Sequence, residues 1–169
     1  CIKCKFASKI LSLILKLGSK TFNVTEKEMK ETFSDSYWRR GLANVIKGLA
    51  LFGVKKPFVP GAPFQVVWEI TQGCNLRCKH CSANAGVGRD ELTTEEALKV
   101  IDKLDRFGVT ILAFSGGEPL IRHDFLKLAR YAADKGMYIA VATNGTLLTK
   151  RKVKEMKEAG VEYVQISLD

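Results

Sequence analysis

No stretch of this 169-residue sequence has both the length and the apolarity that a bilayer-spanning helix needs. The apolar run near the start, Phe6 to Leu17, covers about 12 residues and contains Lys9 and Lys16, against the roughly 20 that a span takes. It has no small-residue cleavage site, which argues against a secretory signal. A disulfide framework is missing too. Five cysteines are an odd number, and Cys74, Cys78 and Cys81 are crowded together. Internal repeats and low-complexity tracts are absent, which removes solenoids and biased linkers from consideration. Acidic residues are in short supply: 18 Asp and Glu face 27 Lys and Arg, for a formal net charge of +9. That excess is either a solvated basic face or suits an anionic partner, such as a phosphorylated substrate or a lipid headgroup surface. No RNA- or DNA-binding signature accompanies it, so nucleic acid is not the expected partner.

What is present is ordinary for a globular domain, 46% hydrophobic and 27% charged residues, enough to bury a core. Clustered thiols without a secretory signal read as metal ligands in a reducing compartment, so a cytoplasmic location is expected. The sequence opens on Cys1 rather than Met and closes on Asp169 directly after an apolar run, which reads as a piece of a longer or processed chain.

Composition divides the chain at residue 62. Residues 1–62 hold two apolar-basic runs, Phe6 to Leu17 and Gly41 to Val54, the second flanked by Arg39, Arg40, Lys55 and Lys56. They read as a helical N-terminal extension packed on the main domain or, alternatively, as amphipathic helices on an anionic membrane surface. Pro57, Pro60, Gly61 and Pro63 form a breaker cluster that reads as a linker.

Residues 63–169 become regular. Val66 to Thr71, Thr110 to Ser115, Tyr138 to Thr143 and Tyr163 to Leu168 are short apolar runs, as strands covered on both faces have, but four strands cannot close a barrel and the fourth is expected to end as an unpaired edge. Helical periodicity separates them. Thr93 and Glu96 form a capping box before Ala97, Val100, Ile101, Leu104 and Phe107, and Gly108 follows at the C-terminal cap position. Phe125, Leu128, Ala129 and Ala132 mark a second helix ended by Gly136. Thr149 caps a third, with Val153, Met156 and Ala159 inward and Gly160 at its end. Alternating strand and helix implies parallel, right-handed crossover units.

Two constellations carry chemistry. Cys74, Cys78 and Cys81 stand at C-x-x-x-C-x-x-C spacing, so one loop can wrap three thiolates around three corners of a cubane cluster. A ferredoxin-type cluster takes four cysteines, and no fourth lies nearby, so one iron would be left for another ligand. The rival reading is zinc, for which Cys78-x-x-Cys81 is a half-site and only Cys1 and Cys4 could supply the other. The second constellation is Ser115-Gly116-Gly117-Glu118-Pro119 at the end of the second strand. Two glycines let backbone approach a ligand closely, and Glu118 offers a carboxylate to an ammonium group. Thr143-Asn144-Gly145 ends the third strand and Ser167 the fourth, so polar groups collect at the strand ends, where parallel barrels build sites.

At these residues the sequence resembles the radical S-adenosylmethionine (radical SAM) superfamily. The three-cysteine loop with a ring residue, His80, before its last cysteine is similar to that family's signature. Gly116-Gly117-Glu118-Pro119 resembles its Gly-Gly-Glu motif, and Thr143-Asn144-Gly145 with Ile166 to Asp169 resembles the third and fourth strand ends of SPASM-type members. The match runs over about residues 64–169. It implies an α/β fold, a partial TIM-like (βα)6 barrel with four of its parallel strands present, behind the helical extension. It further implies that Cys74, Cys78 and Cys81 hold a [4Fe–4S] cluster whose open iron is chelated by S-adenosylmethionine (AdoMet). Cleavage of AdoMet would give a 5′-deoxyadenosyl radical that abstracts hydrogen from a substrate the sequence does not identify. The resemblance assigns Gly116, Gly117, Glu118 and Pro119 to the methionine amino group, places Asn144, Ser167 and His80 along the cofactor, and implies a flavodoxin- or ferredoxin-type electron donor. The family barrel needs about two more strands, so a non-catalytic fragment is an alternative, as is a zinc-binding interaction module.

Overall fold

The computed structural model describes residues 24–54, 57, 59–87 and 91–168. Cys1 and Cys4, the Phe6–Leu17 run, Lys55, Lys56 and Asp169 lie outside the described residues. The chain divides into two compact units, Cys1–Arg39 and Arg40–Asp169. In the first, helix α1 (Glu26–Thr32) begins with a capping box in which Thr25 and Glu28 each accept from the other's backbone N–H. Helix α2 (Ser36–Phe52) runs across the division. No helix among the described residues is long and apolar enough to cross a membrane.

The second unit, within which the compositional boundary at residue 62 falls, is built on a parallel sheet in the order β1-β2-β3-β4. Its strands are β1 (Gln65–Thr71), β2 (Ile111–Gly116), β3 (Tyr138–Thr143) and β4 (Val161–Ile166). Helices α3 (Thr94–Phe107), α4 (Phe125–Asp134) and α5 (Lys150–Glu158) connect them, with a single 3-10 turn at Pro119–Ile121. The capping chemistry works as the sequence implies. Thr93 and Glu96 close a capping box at the start of α3, and Gly108 ends it at φ +97. Thr149 accepts from the Lys152 N–H to start α5.

Sequential strand order with crossovers of one hand places consecutive helices on the same side of the sheet. One core results: Leu112 and Phe114 of β2 and Ile139 and Val141 of β3 meet Ile101 of α3, Leu128 and Ala132 of α4 and Met156 of α5. The Phe114 and Phe125 rings meet edge-on at 5.7 Å.

Four expectations need correction. The sheet is covered on one side rather than two: along β2, fully buried Leu112 and Phe114 alternate with half-buried Ile111, Ala113 and Ser115. β4, expected at 163–168 as an unpaired edge of interior-type composition, lies at 161–166 and is exposed along most of its length as that expectation has it, with Tyr163 54% and Ile166 46% exposed. Its two-residue offset follows from Gly160, whose φ of +83 turns the chain so that Val161 already pairs with Ile139. Val153, expected inward, is 52% exposed because α5 leans on a strand that has a neighbour on one side only. The breaker cluster, in turn, is no free linker. Gly61 N–H donates to the Asn44 carbonyl at 2.9 Å, Ala62 is buried, and Gly48 lies so close to the Val59 carbonyl that a side chain would collide with it.

From Arg40 onward α2 docks through its polar side. Arg40 donates to the Val109 carbonyl at 3.0 Å and to Asp105 at 2.7 Å, and Asn44 donates to the Gly108 carbonyl at 2.6 Å. These groups cap the end of α3, where carbonyls lack helical partners. Ile46, Leu49 and Phe52 face outward.

Candidate active site

The cysteine loop leaves β1 at Thr71 and returns on itself. Gly73 bridges Gly86, Cys74 N–H donates to the Gly86 carbonyl at 2.9 Å, and Gly86 N–H donates to the Gln72 carbonyl at 2.8 Å. Turns at Cys78–Cys81 and Cys81–Asn84 coil the segment inside this neck, with Asn84 at φ +45, a conformation asparagine tolerates. Cys74 and Cys81 are half-buried, Cys78 is exposed, and all three are free thiols. Backbone N–H groups point at two of the sulfurs: Leu76 at Cys74 Sγ and Ala85 at Cys81 Sγ, each at 3.4 Å.

The glycine pair explains how the neck is seated. Gly117 N–H donates to the Thr71 carbonyl and Glu118 N–H to the Gly73 carbonyl, both at 2.8 Å. A Cβ at Gly116 would stand 2.2 Å from the Thr71 carbonyl oxygen, and one at Gly117 1.9 Å from that of Gly73. Gly116 also sits at φ +131, which glycine alone adopts readily. The close approach expected of these glycines is thus to the chain's own backbone, and the N–H groups of Gly117 and Glu118 are spent there. Both glycines still line the cavity.

Glu118 differs from expectation. Its side chain is fully buried and does not line the cavity. Oε1 accepts from Leu120 N–H at 3.0 Å and Thr143 Oγ1 at 2.8 Å, and Oε2 accepts from Asn144 N–H at 2.8 Å. The carboxylate ties the end of β2 to the end of β3 rather than facing an ammonium group. Pro119 is buried at the start of the 3-10 turn and also stays off the cavity.

The remaining named residues meet. Cys74, Cys78, His80, Cys81, Gly116, Gly117, Asn144 and Ser167 line one cavity of about 340 Å³ at the strand ends. Ser167 is held by its N–H to the Thr143 carbonyl at 3.0 Å. Two other cavities are of similar or larger size, about 380 Å³ beside Arg122 and about 490 Å³ between α5 and β4, but neither contains a thiol.

Beside the neck lies a buried polar group that the sequence reading missed. Arg122 grips Asp124 with two donors, at 2.6 and 3.1 Å, and also donates to the Ile70 and Leu92 carbonyls. Burial pushes the Asp124 carboxyl up, but hydrogen bonds from Arg122 and Thr94 outweigh it and hold the group below the usual carboxylate range. Glu91 Oε1 accepts from Thr71 Oγ1 and from Gln72 N–H, so β1's end is fixed from this side too. The one sequence signal was the short spacing of Arg122 and Asp124; Glu91 and Thr71 are joined only by the fold.

The residues fit a cubane cluster. N–H donors aimed at sulfur are contacts that cluster thiolates accept, and an open cavity adjoins them. Among the described residues no three His, Cys, Asp or Glu side chains converge on a point that a single ion could occupy. The three thiols share the wall of one cavity.

Comparison with known proteins agrees with this geometry. The chain is 46% identical over 110 residues to an AdoMet-dependent heme synthase of Methanosarcina barkeri, a match covering 64% of this chain and 32% of that protein. It is 42% identical over 109 residues to a PqqA peptide cyclase of Bradyrhizobium diazoefficiens, covering 63% of this chain and 29% of that one. The chain therefore spans about a third of the length of these relatives. Among solved structures, Streptococcus suis SuiB bound to its precursor peptide SuiA shares the fold with a TM-score of 0.55 at 16% identity, over 95% of this chain and 36% of SuiB. The family model of the radical SAM superfamily matches residues 68–169, from within β1 through the cysteine loop to the last residue, and by that match the chain belongs to the radical SAM superfamily of enzymes.

Proposed function

We propose that this chain forms the cluster- and AdoMet-binding part of an enzyme that starts radical chemistry on an organic substrate. The observation that supports it most is the convergence of three free thiols and the ends of β2, β3 and β4 on one cavity of about 340 Å³. Cys74, Cys78 and Cys81 are the cluster ligands in this reading. A [4Fe–4S] cluster held by these thiols would supply the chemistry, one-electron reductive cleavage of the sulfonium C–S bond of AdoMet to methionine and a 5′-deoxyadenosyl radical. The chain's own residues bind and orient. Gly116 and Gly117 form a wall without side chains against which the methionine end of AdoMet can lie. Asn144 and Ser167 flank that wall, and the loop from Cys74 to Ala85 forms the metal side of the cavity. The electron comes from an external one-electron donor of flavodoxin or ferredoxin type. A tetrapyrrole is the first substrate to try, because the M. barkeri relative is by name a heme synthase; a peptide is the second, after the peptide cyclase.

Anaerobic reconstitution with iron and sulfide should give a brown protein with about four irons per chain. Cys78→Ala should abolish it. The full-length protein, reduced with dithionite in the presence of AdoMet, should release 5′-deoxyadenosine. An iron tetrapyrrole should accelerate that release more than a peptide panel does. Stoichiometric zinc without charge-transfer absorbance would overturn the reading, as would a cluster-loaded protein that never releases 5′-deoxyadenosine.

A further inference from the structure

Asn144 does more than line the cavity. Its side-chain oxygen accepts from Thr146 N–H at 3.0 Å and from Thr146 Oγ1 at 2.6 Å. With Oδ1 committed, the amide nitrogen must face the other way, toward the cysteine loop. There it donates to Asn75 Oδ1 at 2.9 Å and lies 3.9 Å from Cys74 Sγ, at the long end of hydrogen-bond reach for sulfur. Asn75 closes the circle by donating from Nδ2 to Thr146 Oγ1 at 2.8 Å. Three side chains, two after β3 and one in the cysteine loop, form a ring in which each donates to the next. The backbone of Asn144 is fixed in turn by its N–H to the buried Glu118 carboxylate.

The neck at Gly73–Gly86 holds both ends of the loop together but does not say where its body points. The ring does, because it fastens the residue next to the first cysteine to the end of a strand two positions across the sheet. We propose that Asn144 is a positioning residue for Cys74: with Asn75 and Thr146 it latches the cysteine loop onto the end of β3, and its amide adds a second hydrogen bond to the Cys74 sulfur beside that from Leu76. The latch stands on the hydrogen bonds of the ring alone; the role toward sulfur rests on the cluster reading above.

A donor to a cluster sulfur stabilises the more negative, reduced state and raises the potential. The two parts of the proposal therefore separate. In metal-free protein, Asn75→Ala and Asn144→Ala should each speed amide hydrogen exchange across residues 74–86 several-fold while leaving α3 and α4 unchanged, and the double variant should add little. In reconstituted protein, Asn144→Ala and Asn144→Asp should shift the cluster's midpoint potential to more negative values in an EPR-monitored redox titration. Asn75→Ala, which keeps the amide near Cys74, should shift it much less. Thr146→Val serves as the latch variant if Asn144→Ala does not fold. Unchanged exchange in the metal-free variants would overturn the latch. An unchanged potential in both Asn144 variants would overturn the role toward Cys74. Failure of the parent protein to take up iron would fall on the proposed function instead, while the exchange measurement would still decide the latch.

Discussion

At the scale of single residues, the Gly-Gly-Glu-Pro segment is a joint. Gly117 lets the neck of the cysteine loop lie on the end of β2, with no room for a methyl group between it and the Gly73 carbonyl. Gly117→Ala should therefore cost about 1–3 kcal/mol of stability by overpacking. It should also raise the alkylation rates of Cys74, Cys78 and Cys81, both readable by thermal unfolding and thiol labelling. Glu118 makes the complementary prediction. Its Ala variant leaves the buried donors of Leu120 and Thr143 without their acceptor, at about 1–3 kcal/mol for each left unmade, and frees the part-buried N–H of Asn144. Glu118→Ala should thus lower the unfolding midpoint of the metal-free protein, where a residue serving only as a ligand contact would change nothing.

At the scale of elements, the strands and helices between residues 63 and 169 were legible because their signals are local. The Thr93–Glu96 box, Gly108 and Thr149 announce helix ends through contacts three or four residues apart. The cysteines were legible for the same reason, all three coming from one loop. The Arg122 network was not, since Ile70, Glu91 and Leu92 reach it only after the chain has folded. Nor was the ring of Asn75, Asn144 and Thr146, whose members lie some 70 residues apart. The Arg122 network carries a pH prediction. Asp124 titrates below the usual carboxylate range when folded, so the folded state binds its proton less readily than the unfolded chain does. Its stabilisation is complete above the unfolded value of about 3.9 and is lost as pH falls through the lowered folded value. Urea unfolding followed from neutral into acid should show this loss. In Asp124→Asn the acid limb should be shallower and the protein weaker at neutral pH.

At the scale of the whole molecule, the four-stranded sheet exposes what a parallel sheet usually hides. Tyr163, Val164 and Ile166 are uncovered on β4, next to an apolar hollow shared with Leu148, Val153 and Met156. Uncovered strands pair with other chains. The isolated chain should self-associate in sedimentation velocity at micromolar concentration, and Val164→Lys should shift it toward monomer without lowering its unfolding midpoint. A monomeric parent would show that the edge is not adhesive. The exposed edge was legible in the sequence, because β4 has the composition of an interior strand and four strands cannot close a barrel around it.

The neck between Gly73 and Gly86 bears on how metal and folding are coupled. In small zinc modules the polypeptide is disordered until the ion arrives, so much of the ion's binding energy is consumed in ordering the chain. Here four backbone hydrogen bonds, none of which involves a thiol, tie the thiol-bearing segment to itself and to the ends of β1 and β2. Removing the proposed cluster with a chelator should then strip the site without melting its scaffold, as circular dichroism before and after chelation would show. A chain so tied, if it holds the proposed cluster, would remain folded when oxygen destroys that cluster and could be reloaded, so that oxidative damage would be an event to repair rather than a reason for degradation.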